Sequence, residues 1–70
     1  MTEIELLDMI RGRMQSIAYE VVGARHWAIE GRTYDSQYWG ALYDDLAEIE
    51  MSMRRVCGEI ERRKKEVAGN

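Results

Sequence analysis

The chain contains no proline and no phenylalanine, and only one cysteine and one histidine among its 70 residues. Each absence excludes something. With no proline, no ring interrupts a helix from within or stiffens a turn. One cysteine, Cys57, cannot close an internal disulfide, so packing must hold the fold and a reducing cytoplasm is the expected location. His26 lies one turn before Glu30, but two ligands are too few for a metal centre, and the pair would need Asp35 or a symmetry mate to complete one. No apolar run approaches the ~18 residues that a membrane span requires. The opening "MTEIELLDMI" places acids where a secretory leader carries basic residues, so a water-soluble chain is expected. Glycine-rich phosphate loops, zinc spacings and hydrolase motifs are also missing. No catalytic residue, metal or cofactor is assigned, and the expectation is a protein that binds rather than catalyses.

What is present is helical pattern. Thr2 followed by Glu5 forms a capping box, in which the threonine oxygen accepts from a first-turn amide and the glutamate reaches back to the threonine amide. Apolar residues then recur at Leu7, Ile10, Met14, Ile17, Val21, Ala24 and Ala28, the three-four spacing of a helix with one apolar seam. Gly31 offers a stop. Beyond it Asp35 or Ser36 can cap a second helix, whose seam reads Trp39, Leu42, Leu46, Ile49, Met53, Val56 and Ile60. The expected elements are a helix over about 3–30, a turn over about 31–35, a second helix over about 36–66 and a frayed end over 67–70.

So short a connection forces the helices antiparallel. The fold class is therefore all-α, an antiparallel two-helix hairpin with a heptad seam. A turn centred near residue 33 predicts that facing positions carry numbers summing to 66 or 67, from Ala28 with Trp39 down to Leu7 with Ile60. This register also brings Glu3, Glu5 and Asp8 beside Arg62, Arg63, Lys64 and Lys65. A single seam is a thin core for so short a chain. The first helix has apolar residues to spare, with Ala18, Val22 and Ile29 on a second stripe interrupted by Arg25, and Ile4, Leu6 and Met9 near its start. A homo-oligomer is expected, most simply a dimeric four-helix bundle.

The end near the turn differs in character from the rest. Five of the six aromatic residues, Trp27, Tyr34, Tyr38, Trp39 and Tyr43, fall within seventeen positions. Residues 20 to 50 also hold seven acids against Arg25 and Arg32, a net of −5, while the remainder nets +2. Aromatic rings give large contact area at low entropy cost, and negative charge suits a basic partner. The candidate partner-binding residues are Trp27, Tyr34, Tyr38, Tyr43, Asp44, Asp45 and Glu48, on a small acidic inhibitor or adaptor that occupies a basic surface of a larger protein complex. In general type the chain is similar to the accessory and inhibitor proteins of phages and mobile elements, counter-defence proteins among them. That likeness is one of composition and transfers no residue roles.

Two other readings compete with this one. Arg25, His26, Trp27 and Arg32 could line a nucleotide pocket between subunits. Alternatively, the basic end, "RRKK" with Arg54 and Arg55, could touch RNA or DNA, although Glu3, Glu5, Asp8, Glu59 and Glu61 lie close enough to neutralise it. Acids at helical spacing, Glu5 with Asp8 and Asp45 with Glu48, would lie about four turns apart along the hairpin, too far to share a magnesium ion. Finally, Gly12, Gly23, Gly40 and Gly58 fall inside the expected helices, where each costs up to about 1 kcal/mol relative to alanine. Gly23 and Gly40 lie at the aromatic end, where a partner could approach closely. Gly12 and Gly58 have no explanation at this level.

Overall fold

The computed structural model describes residues 1–69, and these form two long helices packed against each other. Helix α1 spans Glu3–Gly31 and starts on the capping box. The Thr2 hydroxyl accepts from the Glu5 amide at 3.2 Å, and Glu5 Oε1 accepts from the Thr2 amide at 3.4 Å. Helix α2 spans Ser36–Gly69. It starts on Asp35, whose Oδ1 accepts from the amides of Gln37 and Tyr38 at 3.1 Å each. Between the helices the chain turns on the Gly31 carbonyl, which accepts from the Tyr34 amide at 2.9 Å. The result is a rod, 54 × 16 × 11 Å along its principal axes.

The helix boundaries depart from the sequence reading at one end. The fray expected over 67–70 is instead helix as far as Gly69, and Val67 is half-buried as the last residue of α2 to face α1. Asn70 lies outside the described residues.

Gly31 ends α1 for a reason other than the expected one. No described residue has a positive φ, and the cap, Arg32, is in the right-handed region at φ −62° and ψ −17°. A left-handed glycine is therefore not what stops the helix. The ring of Trp39 occupies the space that a Cβ on Gly31 would fill. The position is glycine because a ring lies flat against its backbone.

The seam lies to one side of the expected one. On α1 the residues turned toward α2 are Ile4, Leu7, Arg11, Met14, Ala18, Val21, Arg25 and Ala28, all buried or half-buried at three-four spacing. On α2 they are Trp39, Tyr43, Leu46, Glu50, Met53, Cys57, Ile60, Lys64 and Val67. Leu7, Met14, Val21 and Ala28 belong to both the expected and the observed seam, as do Trp39, Leu46, Met53 and Ile60. The intervening stripe is exchanged. Ile10, Ile17, Ala24, Ile49 and Val56 are exposed, while Arg11, Arg25, Glu50 and Lys64 occupy the inward positions.

Cross-helix ion pairs account for the exchange. Arg25 binds Glu50, Arg11 lies against Glu61, and Lys64 against Asp8. Residue numbers in these pairs, and in the contacts of Gly31 with Trp39 and Arg25 with Tyr43, sum to between 68 and 75. The facing pairs therefore slide relative to the expected sum of 66 or 67. Only Glu3 with Arg63, joined at 2.8 Å, keeps it.

The unexplained glycines yield a prediction. A Cβ on Gly12 or Gly58 would meet nothing within 4 Å. Gly12→Ala with Gly58→Ala should therefore raise stability by about 1–2 kcal/mol through helix propensity and a less disordered unfolded chain. Urea unfolding followed by circular dichroism reads this directly, and a lower midpoint would show that the two positions contact something in solution.

Candidate protein-binding surface

Helix α1 ends and α2 begins with rings on several sides, because the helical repeat turns each in a different direction. Tyr34, in the turn itself, is 88% exposed, Trp27 is 70% exposed and Tyr38 is 60% exposed. Trp27 stands edge-on to His26, with centroids 5.7 Å apart at 74°. Tyr38 stands edge-on to Trp39, with centroids 5.6 Å apart at 90°. Trp39 itself is half-buried over Gly31 and braces Tyr38 from below. Rings held in this way lose little further freedom on binding, which favours their use as contact anchors.

Tyr43 has a different setting from the other candidate rings. Its hydroxyl accepts from Arg25 Nη2 at 2.8 Å, and the Arg25 guanidinium carbon lies 4.9 Å from its ring centroid. The other Arg25 nitrogen, Nη1, reaches Glu50 Oε1 at 2.5 Å, and Arg54 Nη2 reaches Glu50 Oε2 at 3.0 Å. The hydrogen bond that Arg25 donates to Tyr43, and then the one it donates to Glu50, hold Arg25 above the ordinary arginine range. Glu50 is 6% exposed, the sole buried acid among the described residues. Tyr43 and Glu50 thus tie the helices together, and half-buried Tyr43 presents less free surface than Trp27, Tyr34 or Tyr38.

The acidic residues Asp44, Asp45 and Glu48 are exposed on α2, and none of them has an ion-pair partner among the described residues. Arg25 and Glu50 withdraw together into the seam, which leaves the net charge of the outer surface at this end as negative as the whole segment. Glu20 and Glu30 are exposed as well. Rings and uncompensated acids therefore share one end of the rod.

Within a single hairpin the residues considered for a nucleotide pocket between subunits do not converge. Arg25 faces α2, where Nη1 and Nη2 bind Glu50 and Tyr43, whereas His26, Trp27 and Arg32 are exposed. The basic end is mostly paired. Arg62 binds Glu59, Arg63 binds Glu3 and Glu66, and Lys64 binds Asp8 and Glu61. The hydrogen bond that the Lys64 ammonium donates to Asp8 holds it above the ordinary lysine value of 10.5. Of the acids expected to neutralise that end, Glu5 alone closes the capping box instead. Among the described residues no three histidine, cysteine, aspartate or glutamate side chains are grouped to hold a metal, and no helix is long and apolar enough to cross a membrane.

Sequence reasoning missed Glu50 as a seam residue because the seam was built from apolar residues alone. The available signal was charge complementarity across the hairpin, since sliding the register to place Arg25 near Glu50 also places Arg11 near Glu61 and Asp8 near Lys64. No protein-family model, curated protein or solved structure matches the chain.

Proposed function

We propose that the chain is a non-enzymatic binding protein, a homodimer of helical hairpins whose acidic, ring-bearing end occupies a basic surface of a larger protein. The observation that carries this reading is the coincidence of three largely exposed rings, Trp27, Tyr34 and Tyr38, with unpaired Asp44, Asp45 and Glu48. Exposed tryptophan and tyrosine dominate the energetics of protein interfaces, and acids around them steer a basic partner and exclude phosphate-bearing ones.

The test compares the wild type with a Trp27→Ala, Tyr34→Ala, Tyr38→Ala variant and with Tyr19→Ala, a ring far from the turn. A protein captured by the wild type should bind at least about 30-fold more weakly to the triple variant, the loss of one or more hot spots of about 2 kcal/mol each. Tyr19→Ala should bind it unchanged, and affinity should fall with rising salt. Equal affinity of the triple variant, with helicity preserved, overturns the reading.

A further inference from the structure

The ion pairs that draw Arg11, Arg25, Glu50 and Lys64 into the seam turn an apolar stripe outward on each helix. On α1 this stripe is Ile10, Ile17 and Ala24, and on α2 it is Ile49 and Val56, with half-buried Leu42 at the same helical phase. They are neighbours on one flank of the rod. Glu3 and Arg63 stand at the same helical phase as these two stripes, and they meet at 2.8 Å. Ile49 and Val56 also border a shallow groove that Met14 and Met53 line together with Asp45, Glu48 and Ser52. The opposite flank carries Gln15, Tyr19, Val22 and the arginines Arg11 and Arg54. Ile10, Ile17, Ile49 and Val56 are each 38% to 50% exposed. Four branched aliphatic side chains in two adjacent rows, edged near Ile49 by the carboxylates of Asp45 and Glu48, form a patch of the kind that marks an interface.

The molecular surface indicates how much is left uncovered. The chain exposes 5549 Å². A globular monomer of 8.2 kDa would expose about 4,500 Å². The excess, about 1,000 Å², is close to the roughly 800 Å² that each partner contributes to a stable protein interface.

We propose that this flank is covered by the same flank of a second copy, with the two hairpins crossed so that their turns lie at opposite ends. This assignment deepens the oligomeric part of the reading above and rests on it. Two features of the chain favour a second copy in that orientation. The apolar stripes run over residues 10 to 24 of α1 and 42 to 56 of α2, leaving both ends of the rod free of them. A twofold axis through the middle therefore lays stripe on stripe, as an isologous contact requires. Charge then selects the orientation. Residues 20 to 50 net −5 and the rest net +2. Turns at opposite ends set each acidic end beside the partner's basic end, whereas turns side by side would set like against like.

The experiment is light scattering coupled to size exclusion on the full chain, with two charge insertions and one distance measurement. The wild type is expected at twice 8.2 kDa. Ile17→Lys with Ile49→Lys should elute at the monomer mass, and Val22→Lys with Gln15→Lys, on the opposite flank, should remain dimeric. A monomeric wild type overturns both this assignment and the dimeric part of the proposed function. A dimer that survives the Ile17 and Ile49 substitutions but is lost with those at Val22 and Gln15 overturns the flank alone. A variant that fails to fold is bypassed by a spin label at the turn, in Tyr34→Cys with Cys57→Ala, which leaves the flank untouched. Opposed turns give an inter-label distance on the order of the rod's 54 Å long axis. A short distance overturns the orientation.

Discussion

Gly31→Ala is expected to lower the melting temperature by on the order of 10 °C, a loss of about 2–3 kcal/mol. The sign is what makes the experiment informative. Judged by helix propensity alone, an alanine at the end of a 29-residue helix should stabilise by up to about 1 kcal/mol, and the backbone at Gly31 has no positive φ to oppose it. The opposing effect is steric. A methyl group would fall among the six-membered-ring atoms of Trp39, a rigid face rather than the end of a flexible side chain, so either the ring or the helix must move. Moving the ring also withdraws its support from Tyr38. Pairing Gly31→Ala with Trp39→Leu should recover part of the loss, because a smaller side chain can step aside. Thermal unfolding by circular dichroism of the three variants decides it, and a Gly31→Ala protein as stable as the wild type would contradict the packing described.

Glu50→Ala should cost about 2–3 kcal/mol, toward the lower end for the loss of one member of a buried ion pair. The lower end applies because Arg54 is mostly exposed and can rehydrate once the carboxylate is gone. Arg25 is held by the surrounding packing and by Tyr43, so it cannot escape as readily. Replacing both members, as Arg25→Leu with Glu50→Leu, should restore stability to that of the wild type or above, since leucines fill the layer without desolvating charge. Urea midpoints for the single and double variants form the test. A double variant as unstable as Glu50→Ala would mean that the pair contributes through something other than its mutual neutralisation. The expected loss in the double variant is specificity. Without Arg25 and Glu50 the exposed stripe of Ile10, Ile17 and Ala24 competes equally for the seam, and alternative packings of the two helices become accessible.

Much of the architecture was legible in the sequence because it is encoded locally. The capping box at Thr2 and Glu5, the Asp35 cap and the three-four spacing each involve residues within about four positions, and each appears in the structure as read. Every seam residue common to the expected and observed sets lies on the shared stripe, such as Leu7, Met14, Val21 and Ala28. The error came from choosing the second stripe by hydropathy. Ile10 and Ile17 are more apolar than Arg11 and Arg25, but an arginine facing a glutamate across a seam is a better partner there than its hydropathy suggests. Such pairing depends on residues 25 to 50 positions apart, and one-dimensional periodicity does not register it. The candidate surface was legible in outline for a related reason. Ring clustering and charge are compositional, so the turn end stood out; which ring is tied down, as Tyr43 is by Arg25, depended on the long-range register.

The contacts between the helices are ordered along the chain. Gly31 and Trp39 are 8 positions apart, Arg25 and Tyr43 are 18 apart, and Glu3 and Arg63 are 60 apart. Each layer, once formed, shortens the loop that the next must close, so the entropic cost of adding a layer stays small as assembly moves away from the turn. Loop entropy alone therefore favours closing the hairpin from the turn toward the free ends, and opening it in the reverse order. The rings of Trp27, Tyr34 and Tyr38 sit on the part of the molecule where that closure is cheapest.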